Sequence, residues 1–222
     1  TTVLVAGMWG WTKDWRRQLP ALRRNGRVCS YDRPGLGRSP ARTGTLDVDA
    51  GLHAQELYDL LLAAGERPPY LLVGHSYGGL IAQAFAAQHA ESVQGMVLLD
   101  PVPVNFSQIW PDFGNTLTEG APESTLDLPR SSGAAEAGRP LAGLPLILVS
   151  AAVAPSWLSS DGFAAWLQAQ SDQVQGCADC LRWSATGADH QLQETAPAMT
   201  LRAIRTVRRA VRNEVPLKEM AR

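Results

Sequence analysis

The chain has 222 residues, 45% of them hydrophobic and 18% charged, a composition that suits one folded domain of α/β size and excludes intrinsic disorder. A formal net charge of −1 gives no electrostatic reason to expect nucleic acid as a partner. No run approaches the roughly 18 apolar residues needed to span a membrane, and three cysteines are too few for a disulfide scaffold.

Six apolar runs alternate with helical patterns along the chain. The predicted strands are TVLVAG (2–7), RVCSYD (27–32), YLLVGH (70–75), GMVLLD (95–100), LPLILVSA (144–151) and LRWSAT (181–186). Most are apolar throughout instead of alternating, as strands buried on both faces are. Helices are predicted over 15–25, 46–64, 80–89, 161–170 and 198–213. Strands and helices taking turns in this way imply a mostly parallel sheet of about six strands with helices on both faces. The chain opens on Thr1-Thr2 and enters a strand directly, with no N-terminal signal visible. The interval 101–143 breaks the rhythm. It is proline-rich, weakly periodic and too long for an ordinary connection, so it is expected to be a lid inserted in one domain spanning 1–222. It leaves the carboxyl end of a strand, where open parallel sheets bind ligands.

Two minor features have plain explanations. Cys177-Ala-Asp-Cys180 has redox-motif spacing but no second CxxC to complete a zinc site, which leaves a local disulfide or two thiols. Arg202, Arg205, Arg208, Arg209 and Arg212 crowd the last helix, as a solvated face with cations toward the helix C-terminus would.

Chemistry concentrates at Gly74-His75-Ser76-Tyr77-Gly78, a G-x-S-x-G pattern. A buried-strand pattern precedes it at once and a helical pattern, LIAQAFAAQ, follows at once. A nucleophilic serine needs this layout. It must sit on a sharp, strained turn that projects its hydroxyl beyond the sheet, with small residues two positions away on either side. The turn also aims the Tyr77 N–H, at a helix start, toward a developing oxyanion.

At this point the chain resembles the α/β-hydrolase fold superfamily. VLVAGMWGWTKDW is similar to that family's first-strand loop, with Ala6-Gly7 where a His-Gly pair is usual. The resemblance makes Met8 the donor of the second oxyanion N–H, alongside Tyr77. SYDRPGLGRS (30–39) resembles the Asp-Arg-Pro-Gly-x-Gly-x-Ser loop, VLLDPVP the strand after the elbow helix, and SATGADHQLQETAP the segment that bears a catalytic histidine. The family's first two antiparallel strands are expected to be missing.

Ser76 needs a base to take its proton and return it to the leaving group. Four histidines compete. His53 is expected at the surface or half-buried, His89 as a cation ending a helix, and His75 as a packing residue pointing away from Ser76. His190 follows the last strand on the same sheet edge as the elbow and is the expected base. The carboxylate is less determined, because the loop after the fifth strand, SAAVAPSW, holds no acid. Asp100 ends the strand after the elbow helix, a position that some α/β-hydrolases use. Asp161, which an N-cap role would also explain, is the alternative, followed by Asp172 or a dyad without an acid. Loop tryptophans, Trp9 and Trp110 among them, are expected to line an apolar substrate pocket. The resulting expectation is a serine hydrolase for an uncharged, moderately apolar ester, lactone or other acyl compound, with no cofactor and no metal. An acyltransferase or a non-catalytic binding relative are the alternatives.

Overall fold

The computed structural model describes residues 1–43, 48–109, 126–136 and 143–220. Its strands are β1 (Thr2–Val5), β2 (Val28–Ser30), β3 (Tyr70–His75), β4 (Val93–Leu99), β5 (Leu146–Ala151) and β6 (Cys180–Ala185). They form one all-parallel sheet in the order β2-β1-β3-β4-β5-β6. The helices in chain order are α1 (Leu19–Arg23), α2 (Ala50–Ala63), α3 (Tyr77–Gln88), α4 (Phe106–Ile109), α5 (Leu128–Glu136), α6 (Ser160–Val174), α7 (Leu192–Thr195), α8 (Pro197–Asn213) and α9 (Leu217–Met220).

The apolar runs are explained by two cores. Alternate side chains of one strand serve opposite faces, so a strand covered on both sides must be largely apolar. Tyr70 and Leu72 of β3, Met96 and Leu98 of β4, and Leu146 and Leu148 of β5 pack with Leu57 and Leu61 of α2, Phe85 of α3 and Trp166 of α6. Leu71, Val73, Val97, Leu99, Ile147 and Val149 pack on the other face with Leu22 of α1 and Ile204 and Val207 of α8. Fully burying one such side chain stabilises the fold by roughly 1.5–3 kcal/mol.

Several boundaries differ from expectation for local reasons. The helix expected over 15–25 is a one-turn 3₁₀ segment (Thr12–Trp15) followed by α1, because Pro20 lacks an N–H and fits only a first turn. α2 starts at Ala50 because Asp49 caps it, its carboxylate accepting from Leu52 N at 2.8 Å. α6 is capped by Ser159, which accepts from Gly162 N, and not by Asp161. Part of the proline-rich interval is helical: Phe106 of α4 and Leu128 of α5 are buried in the first core. Cys177 and Cys180 form a disulfide. Among the described residues no helix is long and apolar enough to cross a membrane.

Candidate active site

Ser76 joins β3 to α3 with φ 52° and ψ −122°, a conformation an L-residue adopts only when its surroundings impose it. Three backbone bonds do so. Ser76 N donates to Leu99 O at 3.0 Å, and Ser76 O accepts from Gly79 N at 2.8 Å and Val102 N at 3.1 Å. The flanking glycines are required by contact: a β-carbon at Gly74 would fall on the Gly78 carbonyl, and one at Gly78 on the carbonyls of Val5 and Ala6.

The loop after β1 meets this turn closely. A β-carbon at Gly7 would lie 2.9 Å from His75 Nδ1 and 3.2 Å from Ser76 Cβ, so only glycine lets the two segments meet. Trp9, at φ 56°, turns the chain, and Gly10 N donates to Gly7 O at 3.0 Å. Beneath this loop the buried Arg33 guanidinium donates to Ala6 O (2.7 Å) and Gly7 O (2.6 Å), fixing the peptide planes that lead into Met8. Its neighbour Asp32 accepts from Thr12 N and Arg38 N, both at 2.9 Å, and so ties the two loops together. Met8 and Ser76, the residue that immediately precedes α3, thus line the same cavity.

His190 and Asp100 come together, although 90 residues separate them. His190 Nδ1 donates to Asp100 Oδ2 at 2.7 Å, and both side chains are buried. The other oxygen, Oδ1, accepts from Ala151 N (3.1 Å), Trp166 Nε1 (3.3 Å) and Gln170 Nε2 (3.0 Å). Burial alone would raise the Asp100 carboxyl; the bonds from His190, Gln170 and Ala151 outweigh it and hold the group below the ordinary carboxylate range. With Nδ1 engaged by the carboxylate, Nε2 is the His190 nitrogen available to a group in the cavity.

His75 secures the same loop from below. Its Nε2 donates to His190 O at 2.8 Å, and burial pushes its pKa down to about 3, so the ring is neutral with its proton on Nε2. His75 also lines the cavity with Ser76 and lies 4.9 Å from the His190 ring, so it does not point away as expected. The other two histidines depart from expectation as well. His53 is buried, hydrogen-bonded to Tyr77 Oη at 3.1 Å, and held at about 3 by burial and then by Arg33. His89 ends α3 stacked on Tyr58 at 3.8 Å, and burial lowers its pKa, so it is not the cation expected there.

The remaining acids are occupied elsewhere or exposed. Asp161 lies exposed in the first turn of α6. Asp172 accepts from Gln168, Asp179 from Leu217 N, and Asp189 from Gln191 N and Thr195 Oγ1.

Ser76 and His190 open onto one cavity of about 530 Å³. Met8, Trp9, Val102, Phe106, Leu128, Trp157 and Trp166 make its walls largely apolar, and Trp9 and Trp157 stand half-exposed at the rim. Asp14 is the one carboxylate among the described lining residues; burial raises its pKa, and it accepts from Trp11 N at 3.2 Å. Trp110 lies outside the described residues. Trp15 is buried away from the cavity and Trp166 is buried in its wall, so the tryptophans divide between core and cavity. Trp166 and Gln170 carry no motif of their own, whereas Arg33 belongs to the Asp32-Arg33-Pro34-Gly35 loop noted in the sequence, which does not by itself announce the grip on Ala6 and Gly7. The usable signal is the i, i+4 spacing of Trp166 and Gln170, which puts an indole N–H and an amide on one face of α6.

Among the described residues no cluster of three or more His, Cys, Asp or Glu side chains could hold a metal ion. The family model described as the alpha/beta hydrolase fold matches residues 3–201. The chain is 36% identical to YqjL of Bacillus subtilis over 101 residues, which are 46% of this chain and 39% of YqjL. It is 39% identical over 108 residues to RutD of Yersinia enterocolitica, whose name proposes carbamate hydrolysis; the match takes in 49% of this chain and 38% of RutD. The chain thus aligns with well under half the length of these relatives. Among solved structures, a thermophilic esterase from Thermogutta terrifontis superposes with a TM-score of 0.65 at 21% identity, over 95% of this chain and 89% of the esterase. A meta-cleavage product hydrolase superposes with a TM-score of 0.67 at 17% identity, over 96% of this chain and 91% of that enzyme. At these identities the superpositions speak for the fold.

Proposed function

Since the chain belongs to the alpha/beta hydrolase fold family, we propose that it is a serine hydrolase that cleaves an uncharged, moderately apolar ester, lactone or related acyl compound. The observation that carries this reading is the 2.7 Å bond from His190 Nδ1 to Asp100 Oδ2 beside a cavity that Ser76 also lines.

In the proposed reaction His190 Nε2 takes the Ser76 Oγ proton as the oxygen attacks the substrate carbonyl carbon. The carbonyl oxygen becomes an oxyanion held by the N–H groups of Met8 and Tyr77. Asp100, kept ionised, stabilises the imidazolium. His190 then passes the proton to the leaving oxygen as the bond to it breaks, which leaves an acyl group on Ser76. Water, deprotonated by the same imidazole, repeats the sequence and releases the acid. The carbamate in the name of RutD is an acyl compound open to the same attack, but apolar walls favour a substrate with a hydrocarbon acyl or alcohol part. We assign residues 101–143 as an insertion in the domain, a reading supported by Val102, Phe106 and Leu128 in the cavity lining; residues 110–125 and 137–142 of it lie outside the described residues.

A fluorophosphonate probe is expected to label Ser76, and Ser76→Ala to abolish both labelling and turnover of p-nitrophenyl esters. Full turnover by that variant would overturn the mechanism.

A further inference from the structure

A second concavity lies at the opposite edge of the sheet. It is a groove of about 720 Å³ between the end of α1 and the outer face of α8, lined by Arg24, Arg202, Arg205, Arg208, Arg209 and Arg212. Among the described residues no acidic side chain lines it, and α8 contains no Asp or Glu. Arg208 is the half-buried anchor. Its Nη1 donates to Asn25 O at 3.0 Å and its Nη2 to Thr2 Oγ1 at 2.8 Å, at the start of β1. Arg202, Arg205, Arg209 and Arg212 are exposed, and no salt bridge joins any of them to a carboxylate among the described residues.

A merely solvated face does not account for this arrangement. The helix dipole rewards cations only in the last turn, whereas Arg202 and Arg205 lie in the first nine residues of α8. Arginines at 202/205, 205/208, 205/209, 208/212 and 209/212 are neighbours three or four apart, so like charges repel along the whole stripe, and guanidinium cannot shed its proton. Mixed charges would solvate the helix at lower electrostatic cost.

We propose that this groove binds a polyphosphate group, as an inorganic chain or as the phosphate tail of a nucleotide. The stripe from Arg202 to Arg212 runs about 15 Å along the helix and presents planar forks suited to phosphate oxygens. A membrane surface fits less well: among the described residues the large exposed apolar ones are Trp9, Leu60, Leu62, Val153 and Trp157, and none of these borders the groove. Single-stranded nucleic acid fits less well too, because among the described residues no aromatic ring lines the groove for a base to stack on, and Arg202 already lies over Trp183 at 5.2 Å.

Isothermal titration of the protein with sodium tripolyphosphate and, separately, with ATP in ~0.15 M salt tests this. Saturable binding to one site is expected. In Arg205→Gln/Arg209→Gln it should weaken about a hundredfold, about tenfold for each charge-assisted hydrogen-bonding group removed. Equal binding of the two ligands assigns the site to the phosphate chain alone, and clearly tighter ATP binding assigns it to a nucleotide; both support the proposal. Esterase turnover and the circular dichroism spectrum of the variant should match wild type. The proposal is overturned by no saturable binding, by equal affinity in the variant, or by capture of phosphatidylserine vesicles or duplex DNA that tripolyphosphate cannot displace.

Discussion

Gln170 reaches from the middle of α6 to Asp100, its Nε2 donating at 3.0 Å both to the carboxylate Oδ1 and to the neighbouring Pro101 carbonyl. The amide is fully buried, and so is shielded from competing water. The proposed catalytic acid is thus positioned by a residue 70 places away in the chain and in a different element.

Removing that amide has a predictable sign. In Gln170→Leu the carboxylate loses a donor, becomes more basic and binds the His190 imidazolium more strongly. The acidic limb of the kcat/KM profile should therefore move to higher pH, with kcat reduced about tenfold, the scale of one hydrogen bond to a charged group. A merely structural role would lower stability and leave the profile where it is.

Asp100→Asn should lower kcat by about 10⁴ without unfolding the chain, because the amide favours the wrong imidazole tautomer. Steady-state turnover together with thermal denaturation checks both halves. A mild effect would mean that another group orients His190.

Arg33→Lys keeps the charge but loses the fork that grips Ala6 O and Gly7 O together. Loosening the peptide before Met8 should cost kcat about 10- to 100-fold with little change in KM, since the Met8 N–H is proposed to act on the oxyanion and not on the bound substrate. Single-turnover kinetics would separate the two.

Acid should weaken the fold in two windows. His53 and His75 are held by burial at about 3 in the folded chain against an ordinary 6.5. Between those values the unfolded chain binds protons that the native state refuses. Their contribution is thus complete above pH 6.5 and shrinks as pH falls toward 3, by about 1.4 kcal/mol per pH unit for each histidine. Glu66, held at about 2 chiefly by its hydrogen bond from Arg27, is a depressed carboxylate, so its contribution is present above 4.5 and is lost as pH falls from 4.5 to 2. Denaturant melts from pH 7 to 5 should show the histidine slope below pH 6.5, and His53→Gln should reduce it by about 1.4 kcal/mol per pH unit.

Much of this architecture can be read from residue order, because it depends on local physics. A strand buried on both faces must be largely apolar, and the 70–75, 95–100 and 144–151 runs meet that demand apart from His75, Asp100 and Ser150 near their carboxyl ends. The strained turn at Ser76 needs glycines two residues away, and those are visible in any sequence. Asp100 can be named from sequence only as one of several candidates, because its distinguishing feature is the set of donors around it: Ala151, Trp166, Gln170 and His190. These meet only after the sheet has assembled. The burial of His53 escapes the sequence for the same reason. Nothing near it in the chain announces that Tyr77 will supply a buried partner.

The order of the sheet carries one more consequence. Ser76 and Asp100 follow adjacent strands, β3 and β4, already joined by the bond from Ser76 N to Leu99 O. The turn after β5 is pinned at its root, where Ala152 N and Val153 N donate to Ala188 O, and then runs on to Trp157 at the cavity mouth. It carries no acid, so the stretch before Trp157 can vary while Asp100 stays fixed one strand away; Trp157 itself packs edge-on to the His190 ring at 5.3 Å and is tied to the proposed base. Selectivity can therefore evolve in that turn up to Trp157 without displacing the proposed acid.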